Sequence, residues 1–480
     1  MRTRNNVSLR YSQEILNGPV IATFLRLGVP LLIVRIIQDL YLLVDMFWLS
    51  RYNQFIMATP RQVMPSYMMF TAFINSFCSA NLALLTQYIG AGMYDNVLNT
   101  FRKMITISVL GGLASGSLFF TLSPYLFTYF VGTPPEILAD VIGYARVMAF
   151  DIIVLSINVS LATLLQSLGD TRTTALSQIT GSIINLMLDP IFINGLGYLP
   201  AMGAVGAAIA TLLSKFASIF MMIFRISQQY SWIKIRFSKN VDVEYLAISL
   251  RIATPLLIMG VSNSLAFNLQ NRLINTFGVI VTTAVSLGFI LFDLANTSLW
   301  GLTEGIAIMV GQNLGAGNID RSKTIARKTA LFIFSSVVVS SILIYLVKDY
   351  IASVFITGQG VNLEHIEKVY NEFSSFISFT IWTLAFFALT FSSMSVGRGS
   401  GRTFMPTVIN IIRLWGLRVG LGYLLSLVLR WGTLGIYIAF ALSNVIGGIL
   451  SISWVIKGSW AKPIIKPEPK RLSYSYARTQ

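Results

Sequence analysis

Twelve apolar runs, each long enough to cross a lipid bilayer as a helix, limit this chain more than any other feature. They fall at about 24–50, 62–90, 101–123, 136–168, 173–195, 202–226, 245–276, 280–314, 325–348, 368–397, 404–428 and 433–457. At a rise of about 1.5 Å per residue, roughly 20 residues cross the hydrocarbon core. Lipid offers no partner to a free N–H or C=O, so each such segment must close its hydrogen bonds within itself. Only 11% of the residues are charged and mean hydropathy is +0.70, where soluble domains carry about a quarter charged. The expected fold is an all-α polytopic membrane protein with 12 transmembrane helices. Residues 1–26 are basic and polar, and the first apolar run is too long for a signal h-region, so no cleavable signal is expected. The single Cys78 excludes an intrachain disulfide and any multi-cysteine metal site. The single His365, among Glu364, Glu367 and Lys368, reads as part of a connecting loop and cannot build a common zinc cluster.

A net charge of +16 would fit a nucleic-acid partner, but its placement argues against one. Of the 35 Lys and Arg residues, 24 lie on or beside the N-terminal side of the twelve spans, 5 on the opposite side and 6 within spans. That asymmetry is the positive-inside pattern, which puts both termini in the cytoplasm and the body in the plasma (inner) membrane. The basic excess then meets anionic lipid headgroups, and no nucleic acid is expected.

The chain repeats itself. Gln87-Tyr-Ile-Gly-Ala-Gly-Met-Tyr-Asp95 returns as Gln312-Asn-Leu-Gly-Ala-Gly-Asn-Ile-Asp320, and Pro30-Leu-Leu-Ile33 returns as Pro255-Leu-Leu-Ile258, both displaced by 225 residues. Two matches at one offset mark a tandem duplication of six spans, inserted in one orientation about an axis along the membrane normal. The expected organisation is an N-terminal six-helix lobe over 1–230 and a C-terminal six-helix lobe over 231–480, the latter with a cytoplasmic linker and tail. Shifted by 225, Asp45 meets Gln270; with the fifth span matched at 230, Asp189 meets Val419 and Asn185 meets Trp415. The carboxylate chemistry therefore belongs to the first half alone.

Within an apolar segment, Leu40-Tyr-Leu-Leu-Val-Asp45-Met-Phe-Trp-Leu-Ser50 carries a carboxylate that favours water, and an intramembrane acid defaults to a functional role. Gln38, Tyr41, Asp45 and Trp48 follow steps of three, four and three, a stripe suited to a cavity wall. Asp45 and Asp189 lie five and six residues from the outer ends of their spans, roughly 8–9 Å deep. Tyr144 and Thr211 reach a similar layer from spans four and six. Ser182, Asn185 and Asp189 share one face, and Pro190 frees the Leu186 carbonyl. Two acids with oxygen ligands suit a proton relay or a small hard cation, and two close carboxylates resist ionising together. A purely structural role, tying helices together, is the competing reading.

These motifs, with Leu168-Gly-Asp-Thr171, Asn185-Leu-Met-Leu-Asp189-Pro190, Gly203-Ala-Val-Gly-Ala-Ala-Ile-Ala-Thr211 and Gly311-Gln-Asn-Leu-Gly-Ala-Gly317, resemble the multidrug and toxic compound extrusion (MATE) transporters, most closely the prokaryotic DinF-like branch. The resemblance spans all twelve segments. It implies two six-helix lobes around a central cavity, exporting amphipathic, cationic compounds in exchange for H⁺ or Na⁺. It also implies first-lobe ion-site roles for Asp45, Asn185, Asp189 and Tyr144, with Na⁺ as a possible ligand of Asp45, Asp189 and Asn185. Relatives often carry an Asn where Ala162 stands; Asn158 lies one turn earlier, and Thr211 one turn beyond the site position at Ala207. No enzymatic activity, no cofactor beyond the coupling ion, and a monomer are expected. A lipid-linked saccharide flippase is the alternative within transporters, and an intramembrane enzyme or channel the alternative outside them.

Further charges lie inside the spans. Arg35 and Asp39, four apart, are expected to pair. Glu304 and Arg413 lie at comparable depth and are expected to form a buried pair, with Glu304 also placed to meet a cationic substrate. Gln270 joins them as a cavity candidate, while Asp151 reads as a cavity wall or a helix tie.

Overall fold

The computed structural model describes residues 6–53, 56–356 and 363–465. Twelve helices long and apolar enough to cross a membrane are numbered here as spans 1 to 12: Val20–Tyr52, Thr59–Gly90, Tyr94–Phe130, Pro135–Ser167, Thr171–Asn194, Gly203–Gln229, Val243–Asn275, Val279–Gly315, Ile319–Tyr350, Ile366–Ser400, Phe404–Val428 and Thr433–Lys457. An amphipathic helix, Asn6–Asn17, precedes them. Among the described residues the only strand-like pairing is an isolated bridge between Leu196 and Leu199. His365 falls in the first turn of the helix Leu363–Thr380 and not in a loop, because that helix starts before the apolar run does; its side chain lies outside the described residues.

The duplication is visible in the turns. Gly92 and Gly317, 225 residues apart, take φ of 74° and 78° after spans 2 and 8. A residue with a Cβ is strained in that left-handed region, so glycine ends both helices. Pro30 and Pro255, also 225 apart, both lie inside their helices. Two spans of the second half depart from regular helix. A 3₁₀ turn at Ile381–Thr383 joins the two parts of span 10, and span 11 is π-helical over Ile412–Gly420 and Leu424–Val428.

One hydrophobic cluster joins spans 2, 3, 4 and 6, and another joins spans 7, 8, 10 and 12. A third connects Ile15, Phe24 and Leu27 of the first segment with Leu299, Ile306, Met309 and Leu314 of span 8. The two halves therefore meet along the first part of span 1 and the last part of span 8, and where span 2 packs against spans 7 and 8. There the backbones are too close for side chains between them. A Cβ at Gly28 would overlap the Leu302 carbonyl, one at Gly301 would meet the Leu32 backbone, and one at Gly90 would overlap the Gln312 carbonyl. Gly315 answers Gly90 across the repeat, since its Cβ would overlap the Gln87 carbonyl.

The glutamines of this crossing complete the seal. Gln87 Nε2 donates to the Gly399 carbonyl (3.3 Å), and Gln312 Nε2 donates to the Ser167 carbonyl (2.7 Å). Both described ends of the chain reach the same end of the bundle. Asn313 Nδ2 donates to the Ile15 carbonyl (3.2 Å), and the Ile464 amide donates to Gln87 Oε1 (2.7 Å). Toward the other end, Arg35, Asp39 and Asp293 are exposed on spans 1 and 8. Exposed charge in the middle of apolar helices suits a water-filled cleft and not lipid. The bundle is sealed at the end that carries the termini and cleft at the other.

Candidate ion and cargo site

Span 1 packs against both span 5 and span 8, so its second half forms a wall between the first half of the chain and the cleft. On this wall the side chain of Asp45 is 8% exposed and faces Asp189 of span 5, which is fully buried, within hydrogen-bonding reach. Asn185, one turn before Asp189, donates from Nδ2 to Asp189 Oδ1 (3.2 Å) and to Thr211 Oγ1 of span 6 (3.5 Å). Asp45, Asp189, Asn185 and Thr211 thus form one cluster drawn from three spans. Three of its buried oxygens, Asp45 Oδ1, Asp189 Oδ2 and Asn185 Oδ1, receive no hydrogen bond. Buried acceptors are nearly always paired, and oxygen atoms from three side chains left without donors fit a proton or a hard cation.

Further sequence candidates lie on spans 1, 4 and 7. Tyr144 is buried on span 4 within the first-half cluster of hydrophobic residues. Asn158 donates from Nδ2 to Ser218 Oγ of span 6 (3.3 Å). Gln38 ties span 1 to span 5 through Gln178 Oε1 (3.3 Å), and Trp48 is half-buried against the same hydrophobic cluster. The Tyr41 side chain lies outside the described residues. Gln270 is buried on span 7 with its Oε1 unpartnered.

Two expected pairings are corrected. Arg35 does not pair with Asp39; its Nη1 points to Gln38 Oε1 (3.5 Å), three residues on, while Asp39 stays exposed. Glu304 does not pair with Arg413. It meets Arg398 of span 10 at 2.6 Å, and the Arg398 guanidinium lies 5.0 Å from the Trp300 ring centroid. Depth alone could not choose between two arginines on adjacent spans. Arg398 precedes a left-handed turn at Gly401 at the sealed end, whereas Arg413 follows it, inside the π-helical stretch.

Asp151 is the helix tie that was one of its two sequence readings; its cation, Lys215, was not foreseen. Asp151 Oδ2, fully buried on span 4, accepts from Lys215 Nζ of span 6 (2.5 Å) and from Tyr67 Oη of span 2 (2.5 Å). Lys215 also reaches Tyr67 Oη (3.2 Å). The available signal was the lysine itself, alone in an apolar span and needing an acid at the same depth.

The family profile described as MatE matches residues 30–191 and again 255–424, more than half of the chain, with the two matches starting 225 residues apart. The chain is similar to the "Probable multidrug resistance protein YoeA" of Bacillus subtilis, 26% identical over 86% of this chain and 88% of that protein. It is 22% identical to the "Probable multidrug resistance protein NorM" of Thermotoga maritima, over 79% of this chain and 80% of that one. Among solved structures, a MATE protein in a bent conformation superposes with a TM-score of 0.83 over 94% of this chain and 98% of its own, at 21% identity. Twelve spans, a duplicated six-helix unit and a family profile that matches once in each repeat lead to one assignment: the chain belongs to the MatE family and is an integral membrane multidrug efflux transporter, not an enzyme.

Proposed function

We propose that the protein is a secondary antiporter that exports amphipathic, cationic organic compounds in exchange for H⁺ or Na⁺ bound at Asp45 and Asp189. The observation that carries this reading is the set of three unpartnered, buried oxygens on Asp45, Asp189 and Asn185. A single proton between the two carboxyl groups relieves their repulsion, and a sodium ion would do so with Asn185 as a third oxygen ligand. Either ion is transported cargo and not a resident cofactor.

The excess of basic residues on the terminus-bearing side supports a cytoplasmic sealed end in the plasma membrane, with the cleft opening outward. On the cleft, Asp39 of span 1 and Asp293 of span 8 are both exposed, which favours a cationic cargo there. Loading the Asp45–Asp189 pair from outside removes charge from the junction of spans 1 and 5. The packing there shifts, and the cargo loses its hold and leaves. The halves then rock about the seal, and the ion is released inward as new cargo binds.

The test is uptake into proteoliposomes with proton and sodium gradients imposed separately, against a panel of cationic dyes. Accumulation driven by one of the two gradients supports the reading. Equal uptake with and without both gradients contradicts it.

A further inference from the structure

The second half buries two arginines without an acid. Arg413 and Arg418 lie in the π-helical stretch of span 11 and are 4% and 6% exposed. Such stretches are rare and recur at functional sites. Among the described residues no carboxylate forms a salt bridge with either. Arg413 donates to Asn410 Oδ1 (3.0 Å) and Asn444 Oδ1 (3.5 Å), and Arg418 to Asn444 Oδ1 (2.5 Å) and Ser443 Oγ (3.0 Å). Both cations thus converge on one neutral amide oxygen. Arg413 Nε is buried and has no partner. Aromatic faces cover the rest, with Phe387 5.0 Å from Arg413 and Phe440 3.9 Å from Arg418.

Comparison with the first half sharpens this. The seal aligns Ser167 with Gly399, an offset of 232, and the paired glycines Gly203 and Gly432 align spans 6 and 12 at 229. Asp151 then corresponds to Thr383, and Lys215 to Asn444. Both pairs are in contact, at 2.5 Å in the first half and 3.0 Å in the second. The first half answers its half-buried lysine with an acid; the second has a threonine in the acid's place and brings in two arginines from span 11. Room for one of them was made on purpose of packing: Gly447, at the position of Ser218, lies against the Arg413 methylenes. Burying unpaired charge is costly, and arginine stays protonated in proteins.

One hydrogen bond links the site to a polar face of span 7. Asn410 Nδ2 donates to Asn263 Oδ1 of span 7 (2.6 Å). Beside Asn263, the exposed residues Ser264, Asn268 and Asn271 form a polar stripe that ends in a cavity of about 260 Å³ lined by Asn271, Asn275, Thr282 and Ser286. Phe289, on the wall of that cavity, packs against Phe440, the ring that covers Arg418.

We propose that Arg413 and Arg418 form an oxyanion-binding site in the second half, taking a carboxylate or phosphate group, either carried on cargo or free in solution. A guanidinium fork matches such a group in two-point geometry, and Asn444 holds both forks toward one point.

Binding can be read without any ion gradient, so its failure is distinct from failure of the antiport reading. Purified protein is unfolded thermally, with a thiol-reactive dye at the single, buried Cys78 reporting unfolding. Phosphate and acetate are compared with chloride at matched ionic strength. Either oxyanion is expected to raise the midpoint by about 2–4 °C, an increment lost in Arg413→Gln and Arg418→Gln. Asn444→Asp supplies the missing carboxylate from the chain itself; it is expected to raise the midpoint without added anion and to abolish the phosphate response. A carboxylate-bearing dye that competes with phosphate while its ethyl ester does not makes cargo the source; competition by neither makes it a free anion, and both outcomes support the site. Equal midpoints in phosphate, acetate and chloride, or an undiminished response in the three variants, would overturn it.

Discussion

Replacing Gly90 by alanine tests whether the glycine crossing is what closes the terminus-bearing end. The added methyl group would overlap the Gln312 carbonyl, a backbone atom that cannot rotate away, so spans 2 and 8 must separate locally. Overpacking of this kind costs about 1–3 kcal/mol. The strain exists only while this end is shut, so the equilibrium between sealed and opened states shifts by about 5- to 150-fold toward opening. The assay is the labelling rate of a Thr86→Cys probe by a membrane-impermeant maleimide from the terminus-bearing side, in a Cys78→Ala background. Thr86 is fully buried in the seal against Gly311. Labelling is expected to accelerate by that factor in Gly90→Ala and to stay unchanged in Gly260→Ala, where a Cβ meets nothing within 4 Å. An unchanged rate in Gly90→Ala would refute the claim that this crossing closes the bundle.

Asp151→Leu strands Lys215 and should lower thermal stability by about 3 kcal/mol, whereas the double variant with Lys215→Met should recover most of that loss. Glu304→Gln should reduce the yield of folded protein, and adding Arg398→Gln should restore it while adding Arg413→Gln should not, as read by size-exclusion profiles. Asn185→Leu removes an oxygen beside Asp189 and should weaken the apparent affinity for the driving ion by about tenfold or more, measured as the ion concentration for half-maximal transport.

The parts of this protein that were legible in its sequence are those fixed by lipid and by helix geometry. Twelve spans followed from the length of the apolar runs because lipid leaves the backbone no other solution. The neighbouring positions of Asp45 and Asp189 followed from counting residues to the outer ends of spans 1 and 5, since the rise per residue is constant. Rotation about a helix axis was less legible. The hydrogen bond from the Asn158 amide to Ser218 of span 6 could not be read from residue counts along span 4. The choice of Arg398 over Arg413 by Glu304 depended on how spans 10 and 11 turn. Span 10 contains a 3₁₀ turn and span 11 runs of π-helix, and neither leaves a periodic signal. Matched at the left-handed glycines that precede the fifth and eleventh spans, Gly169 and Gly401, the offset is 232, against 230 from the motif alone. No acid falls opposite Asp189 at either offset, so the asymmetry between halves stands.

The most direct test of the account is gradient-driven export by Asp45→Asn in proteoliposomes, with correct insertion checked by protease access to the termini and cargo affinity measured without a gradient. The account predicts that cargo still binds while accumulation against a gradient is lost. Wild-type accumulation by this variant would contradict the assignment of the driving ion to the Asp45–Asp189 pair.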